Sequence, residues 1–243
     1  AGGAQDVDMQ LRQALALEAF EHTAAYDVAI SQELHRRVVG DPALFSSMEE
    51  QRDRLPDSML AASHRVDTLR YGENGHQAAA LYVNHDAPET HSTLVTARVE
   101  GGKAMSYNNY SDADATLRLC RSLSTDEWPN TPHACVIVKH NNPCGAALAS
   151  TQREAFEMAL ASDPESAFGS IICFNEIVET STAKAVGNLF VEVMMAPGYT
   201  DEAKSVLMEK KNRRLLTIDS PDDRLEPLQR QVVRKPIEGG VLV

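Results

Sequence analysis

Cys135-Val136-Ile137-Val138-Lys139-His140-Asn141-Asn142-Pro143-Cys144-Gly145-Ala146 opens on an apolar run and closes on a polar, turn-forming loop. A short apolar run bounded by turn residues reads as a strand buried on both faces. A helix is expected after the loop. In open α/β sheets ligands bind at the carboxyl ends of strands, which places Lys139 and His140 at the edge of a candidate site.

The same rhythm continues outward. Downstream, the pattern predicts a helix over 152–160, strands over 171–174 and 191–195, and a helix over 182–190. Thr200 caps a further helix running to Lys210, and a strand follows over 215–218. Upstream, strands are expected over 80–83 and 93–95 and a helix over 112–123. Such alternation argues for an α/β layered sheet with helices on its faces.

Ahead of residue 63 the character differs. Leu11, Leu15, Ala19, Thr23, Tyr26, Ile30 and Leu34 recur at steps of three or four. That periodicity predicts one long helix over 9–37 with a buried stripe. Its charges suit the helix dipole, with Asp6 and Asp8 at the start and His35, Arg36 and Arg37 at the end. Residues 40–62 are polar and broken by Pro42 and Pro56, and read as a surface connection holding a short helix. The expected organisation is a helical lead-in over 1–62 and an α/β lobe over 63–243. The final Glu238-Gly239-Gly240-Val241-Leu242-Val243 reads as a strand that stops inside itself, as in the leading part of a longer chain.

Composition narrows the function classes. The chain has 243 residues, 23 Lys and Arg against 35 Asp and Glu, and a formal charge of −12. Non-specific nucleic-acid binding needs a field of positive charge, so no nucleic-acid partner is expected. No apolar run reaches the roughly 18–20 residues of a membrane helix, and no membrane partner is expected. Four scattered cysteines, Cys120, Cys135, Cys144 and Cys173, form no CxxC pair. A reduced, cytoplasmic protein is the expectation.

Four segments carry residue types suited to chemistry. Lys139 supplies a fixed positive charge for a developing anion, and His140 can exchange a proton near neutral pH. The plainer reading is a solvated pair on a strand-end loop. Arg70 and Tyr71, in Leu69-Arg70-Tyr71-Gly72-Glu73-Asn74-Gly75-His76-Gln77, offer a phosphate fork and a ring with a hydroxyl. Taken alone that stretch is an ordinary polar loop. Asn108 and Asn109, followed by Asp112 and Asp114, either read an amide or ribose edge or cap a helix. Phe168 beside Gly169 either covers a flat ring or fills the core.

Other chemistries lack their motifs. There is no GxGxxG, no P-loop and no GxSxG elbow. Zinc deaminase chemistry needs H-x-E and P-C-x-x-C. His140-Asn141-Asn142 lacks the glutamate, and Pro143-Cys144-Gly145-Ala146-Ala147 lacks the second cysteine, so no zinc is expected.

Taken together and in order, LRYGENGHQ at 69–77, GKAMSYNN at 102–109, VKHNNPCGAA at 138–147, SAFGS at 166–170 and VEVMMAPGYT at 191–200 resemble one family. It is the formyltransferase of late purine synthesis. That family moves a formyl group from 10-formyltetrahydrofolate to aminoimidazole carboxamide ribonucleotide (AICAR), on the way to IMP. It is usually fused behind an IMP cyclohydrolase domain in one bifunctional chain. The resemblance spans nearly the whole chain, including Ala24-Ala25-Tyr26-Asp27 in the leading helix. One departure is Gly75, where the family has Pro before His-Gln.

The resemblance implies a cytidine-deaminase-like layered α/β/α lobe without zinc, preceded by a helical segment and assembled as a homodimer. The cyclohydrolase domain would precede this chain. A second lobe, holding much of the folate site, would follow it. His140 would be the general base and Lys139 the stabiliser of transition-state charge. Arg70, Tyr71, Asn108, Phe168, Gly169 and Glu192 would bind the ribonucleotide, with Lys211 a further phosphate candidate. Two other readings stay open: a catalytically inactive nucleotide-binding and dimerisation module, and a zinc-free deaminase relative acting on a free nucleobase.

Overall fold

The computed structural model describes residues 8–39, 55, 57–85, 93–123, 130–219 and 234–242. The elements in chain order are α1 (Met9–Val39), β1 (Ser63–Leu69), β2 (Ala79–Asn84), β3 (Arg98–Gly101), α2 (Tyr107–Leu123), β4 (His133–Lys139), β5 (Asn142–Ala149) and α3 (Gln152–Ser162). There follow β6 (Ser170–Phe174), α4 (Thr180–Val186), β7 (Val191–Ala196), α5 (Asp201–Met208), β8 (Arg214–Thr217), β9 (Lys235–Ile237) and β10 (Gly240–Leu242). The chain divides into two compact units, one of residues 1–64, 83–87 and 230–243, the other of residues 65–82 and 88–229.

The second unit is built on a six-stranded mixed sheet in the order β3-β8-β7-β6-β4-β5. β6, β7 and β8 run parallel, while β4 is antiparallel to both β6 and β5, and β3 is antiparallel to β8. The apolar runs explain why these strands are central. Successive residues of a strand point to opposite faces, and both faces are covered here. Val136, Val138, Ile171, Cys173, Val193 and Met195 pack with Ala113, Leu117 and Cys120 of α2. Ile137, Ile172, Phe174 and Met194 pack with Phe156 of α3, Val186 of α4 and Leu207 of α5. The lobe is thus an α/β/α layering, with α2 on one face and α3, α4 and α5 on the other.

Local signals set several boundaries. Thr151 caps α3 by accepting from the Glu154 N–H at 3.2 Å, and Thr200 caps α5 by accepting from the Ala203 N–H at 3.2 Å. α4 stops at Val186, short of the expected 190, because the chain turns at Gly187, whose N–H returns to the Ala183 carbonyl. Leu94-Val95-Thr96 is a turn rather than a strand, held by hydrogen bonds between Thr93 and Thr96.

Two larger corrections bear on the site. The residues after His140-Asn141 form β5, not a helix, and β4–β5 is a hairpin. β5 is an edge strand, so Pro143 is tolerated in it. The second correction concerns direction. β4 runs against β6, β7 and β8, so the carboxyl end of β4 lies beside the amino ends of those three strands. The candidate residues gather there and not at the carboxyl edge of the parallel set.

In the first unit, α1 forms as expected, but none of its 31 residues is buried. Leu11, Leu15, Tyr26, Ile30 and Leu34 are exposed. Periodicity identifies the apolar face of a helix, not the surface that covers it. The chain end expected as a single strand is the hairpin β9–β10, with exposed residues. The short helix expected within 40–62 falls mostly outside the described residues.

Candidate functional site

The β4–β5 hairpin ends in a two-residue loop, His140 and Asn141, closed by the pair Lys139↔Asn142. Both loop residues have positive φ, +53° and +60°. A tight hairpin loop that follows the sheet's twist requires this, and without glycine it needs outside support. Asp112 of α2 supplies support by accepting the Asn141 N–H at 2.8 Å and the His140 N–H at 3.3 Å. Lys139, half-buried at the strand end, donates from Nζ to the Phe168 carbonyl at 2.8 Å.

Phe168 and Gly169 lie in the loop that enters β6. Gly169 has φ +79° and its N–H reaches the Phe190 carbonyl at 2.7 Å. Phe168 is 62% exposed and its ring sits 5.1 Å from that of Phe190. The core reading of Phe168 therefore fails: the ring stands at the surface beside the loop that holds Lys139.

Glu192, near the start of β7, is held by two partners. Asn109 Nδ2 donates to its Oε2 at 3.1 Å, and Arg214 Nη1 donates to the same oxygen at 3.0 Å. Arg214 is buried at the start of β8 and also donates from Nε to the Lys103 carbonyl at 3.0 Å and from Nη2 to the Ala104 carbonyl at 2.9 Å. The GKAM stretch is thereby tied to the sheet. The capping reading of the Asn pair applies to Asn109. Its Oδ1 accepts the Ser106 N–H at 3.1 Å, and Ser106 Oγ accepts the Asn109 N–H at 3.2 Å. This is a reciprocal cap at the start of α2. Asn108 is exposed and reaches back to the Glu73 carbonyl at 3.4 Å, linking α2 to the 70–77 loop.

In that loop the Arg70 guanidinium carbon stands 5.8 Å from the centroid of the Tyr71 ring. Gly72 and Gln77 close the turn by a 2.8 Å backbone bond. Lys211 is exposed in the turn between α5 and β8, with no hydrogen bond to the other candidates among the described residues. The structure thus brings Lys139, His140, Phe168, Gly169 and Glu192 to one end of the sheet. Asn108 connects Arg70 and Tyr71 to that end through α2. Asn109 and Asp112 stood in a segment the sequence had already singled out, but their contacts to Glu192 and to the His140 loop were not anticipated, and Arg214 was given no part in a site. An arginine opening an otherwise apolar strand was the one signal for Arg214.

Cys144 lies half-buried on β5, and its thiol is pushed up by burial and by the nearby Asp163. It stays protonated near neutral pH, unlike a thiolate nucleophile or metal ligand. Among the described residues no group of three or more His, Cys, Asp or Glu is placed to hold a metal ion. No described helix is long and apolar enough to cross a membrane.

Residues 2–243 match the family described as the AICARFT/IMPCHase bienzyme. The chain belongs to that family. A relative in it, the bifunctional purine biosynthesis protein PurH of Persephonella marina, is 41% identical over 242 residues, which is 98% of this chain and 42% of PurH. The chain therefore spans less than half the length of this relative. Among solved structures, a Desulfotalea psychrophila protein described as a formate dehydrogenase accessory protein is 12% identical. It covers 46% of this chain and 55% of its own, at a TM-score of 0.36, too low to carry an argument.

Proposed function

We propose that this bienzyme-family chain is the helical lead-in (1–62) and first deaminase-like lobe (63–243) of the formyltransferase domain. It takes part in moving a formyl group from 10-formyltetrahydrofolate to the 5-amino group of AICAR. The whole protein would act as a cytoplasmic homodimer and carry IMP cyclohydrolase activity elsewhere in its chain. No metal is required. The observation that carries the reading is the gathering of Lys139, His140, Phe168 and Glu192 at one end of the sheet.

The residue chemistry fits. The AICAR amine is conjugated to its ring and carboxamide and is a poor nucleophile. Its nitrogen bonds to the formyl carbon, whose oxygen becomes an oxyanion while the nitrogen becomes a more acidic ammonium. Lys139 keeps N–H groups beyond the one given to Phe168, and these stabilise the oxyanion. His140 takes the ammonium proton. The oxyanion then re-forms the carbonyl as the bond from the formyl carbon to the folate nitrogen breaks, and that nitrogen leaves with the proton that His140 gives back. Phe168 offers a face to the imidazole. Glu192 is bonded through Oε2 alone among the described residues, which leaves its other oxygen for the ligand. Arg70, Tyr71, Asn108, Gly169 and Lys211 complete the ribonucleotide and phosphate contacts.

The test uses the full-length protein. His140→Ala and Lys139→Ala should each lower formyl-transfer kcat by about 10²–10⁴, the usual reach of a positioned acid or base. The dissociation constant for AICAR should change little, because both roles act in the transition state. Near-normal turnover in either variant removes that residue's role. Nucleotide binding without transfer by the unaltered protein would instead favour an inactive binding and dimerisation module.

A further inference from the structure

The loop that presents His140 is not one its own sequence favours. Two-residue hairpin loops with positive φ at both positions are dominated by Asn-Gly, Asp-Gly and Gly-Gly. Here the pair is His140-Asn141, at φ +53° and +60°. Asn and His enter the left-handed region more readily than most residues, yet neither does so freely. Something must hold the loop, and what holds it is α2. The Asp112 carboxylate spans both loop amides, Oδ1 on Asn141 at 2.8 Å and Oδ2 on His140 at 3.3 Å. The neighbouring Ser111 hydroxyl donates to Asn141 Oδ1 at 2.9 Å, and Asn142 Nδ2 closes the loop on the His140 carbonyl at 2.7 Å.

α2 is itself fixed. Ala113, Thr116, Leu117 and Cys120 are buried against the sheet, and its first turn is tied to Glu192 through Asn109. The carboxylate therefore transmits the position of a packed helix to the backbone that carries the imidazole. We propose that Asp112 is a positioning residue: its two-amide clamp holds His140 and Asn141 in the left-handed turn and so sets where the His140 ring meets the substrate amine. The catalytic meaning of the clamp rests on the formyl-transfer reading, whereas the clamp itself does not.

The experiment combines kinetics of the full-length protein with hydrogen exchange over 139–142. Asp112→Ala should lower formyl-transfer kcat by about 10- to 100-fold, the scale of an ångström-sized misplacement, with KM for AICAR within about threefold. Asp112→Asn keeps one acceptor oxygen for two amides and should fall between Asp112→Ala and the unaltered protein. It also serves if Asp112→Ala does not fold. Asn141→Gly is the decisive variant, since glycine adopts the left-handed conformation without help. Introduced with Asp112→Ala or Asp112→Asn, it should restore kcat at least about tenfold toward normal if orientation is what was lost. A generally damaged fold would not recover in this way. Amide protection of His140 and Asn141 should drop in the Asp112 variants, whatever the protein catalyses. Unchanged kcat and protection in a folded Asp112 variant would overturn the proposal, as would lost kcat that Asn141→Gly does not recover. If the unaltered protein transfers no formyl group, the functional reading fails, and exchange alone then judges the clamp.

Discussion

The Lys139 ammonium donates to the Phe168 carbonyl, and the His140 amide donates to Asp112, so two sequence neighbours are anchored to different elements. On the proposed function, that separation would let a fixed charge and a proton acceptor address one ligand from two directions. Arg70 stands in a different situation. It is exposed, near the Tyr71 ring, in a loop stitched by Gly72 and Gln77. An exposed guanidinium can meet a phosphate with little rearrangement. In the full-length protein, Arg70→Ala should weaken AICAR binding by about 1.5–3 kcal/mol, the typical loss of one charge-assisted contact. The dephosphorylated nucleoside should be affected far less. Isothermal titration with both ligands checks this, and equal weakening would move Arg70 away from the phosphate.

At the scale of elements, the β4–β5 hairpin and α3 are packed so closely that one position tolerates no side chain. Gly145 of β5 is buried, and a Cβ added there would overlap the backbone carbonyl of Ala159 in α3. Backbone cannot step aside as the tip of a flexible side chain can. Gly145→Ala should therefore push α3 off the sheet and destabilise the lobe by about 1–3 kcal/mol or more, as overpacking does. Denaturant titration reads the cost directly, and an unchanged midpoint would mean the helix can shift freely. Because the hairpin also carries Lys139 and His140, the same substitution should lower formyl-transfer activity in folded protein.

On the scale of the whole molecule, stability at acid pH should depend on how the β3 edge is fastened. The Glu100 carboxylate is held down to about 2 by hydrogen bonds from Lys204 of α5, then Arg98, with Thr217 of β8 adding a third. A carboxylate depressed below its ordinary value near 4.5 stabilises the folded state most above that value. The contribution fades as pH falls through about 2. Glu100→Gln should thus cost about 0.5–1 kcal/mol at neutral pH, the range for a partly exposed ion-pair network. The difference from the unaltered protein should shrink between the ordinary carboxylate pKa and the lowered one. Thermal melts over that range would show it, and a pH-independent difference would place the effect in packing alone.

The strands β4, β6, β7 and β8 and the helices α2, α3 and α5 were legible because apolar runs and periodicity are local properties of the chain. The Thr151 and Thr200 caps are local as well, since cap and capped amide lie three residues apart. Short motifs at 69–77, 102–109, 138–147, 166–170 and 191–200 carried the family resemblance for the same reason. β5 was misread because Asn142-Pro143-Cys144-Gly145 has weak strand propensity, and only pairing with β4 makes it a strand. The end of the sheet at which the motifs meet was also beyond the sequence. It depends on β4 running against β6, a choice made by pairing between distant segments. Arg214 on Glu192 and Asp112 on the His140 loop are likewise contacts across 22 and about 28 positions. By itself the sequence determined which segments are apolar, where the threonine-capped helices α3 and α5 start and which residue types could carry chemistry. Only the tertiary structure decided which of them share an end of the sheet and hold a histidine in a left-handed turn, because long-range pairing and packing are not encoded in any local window.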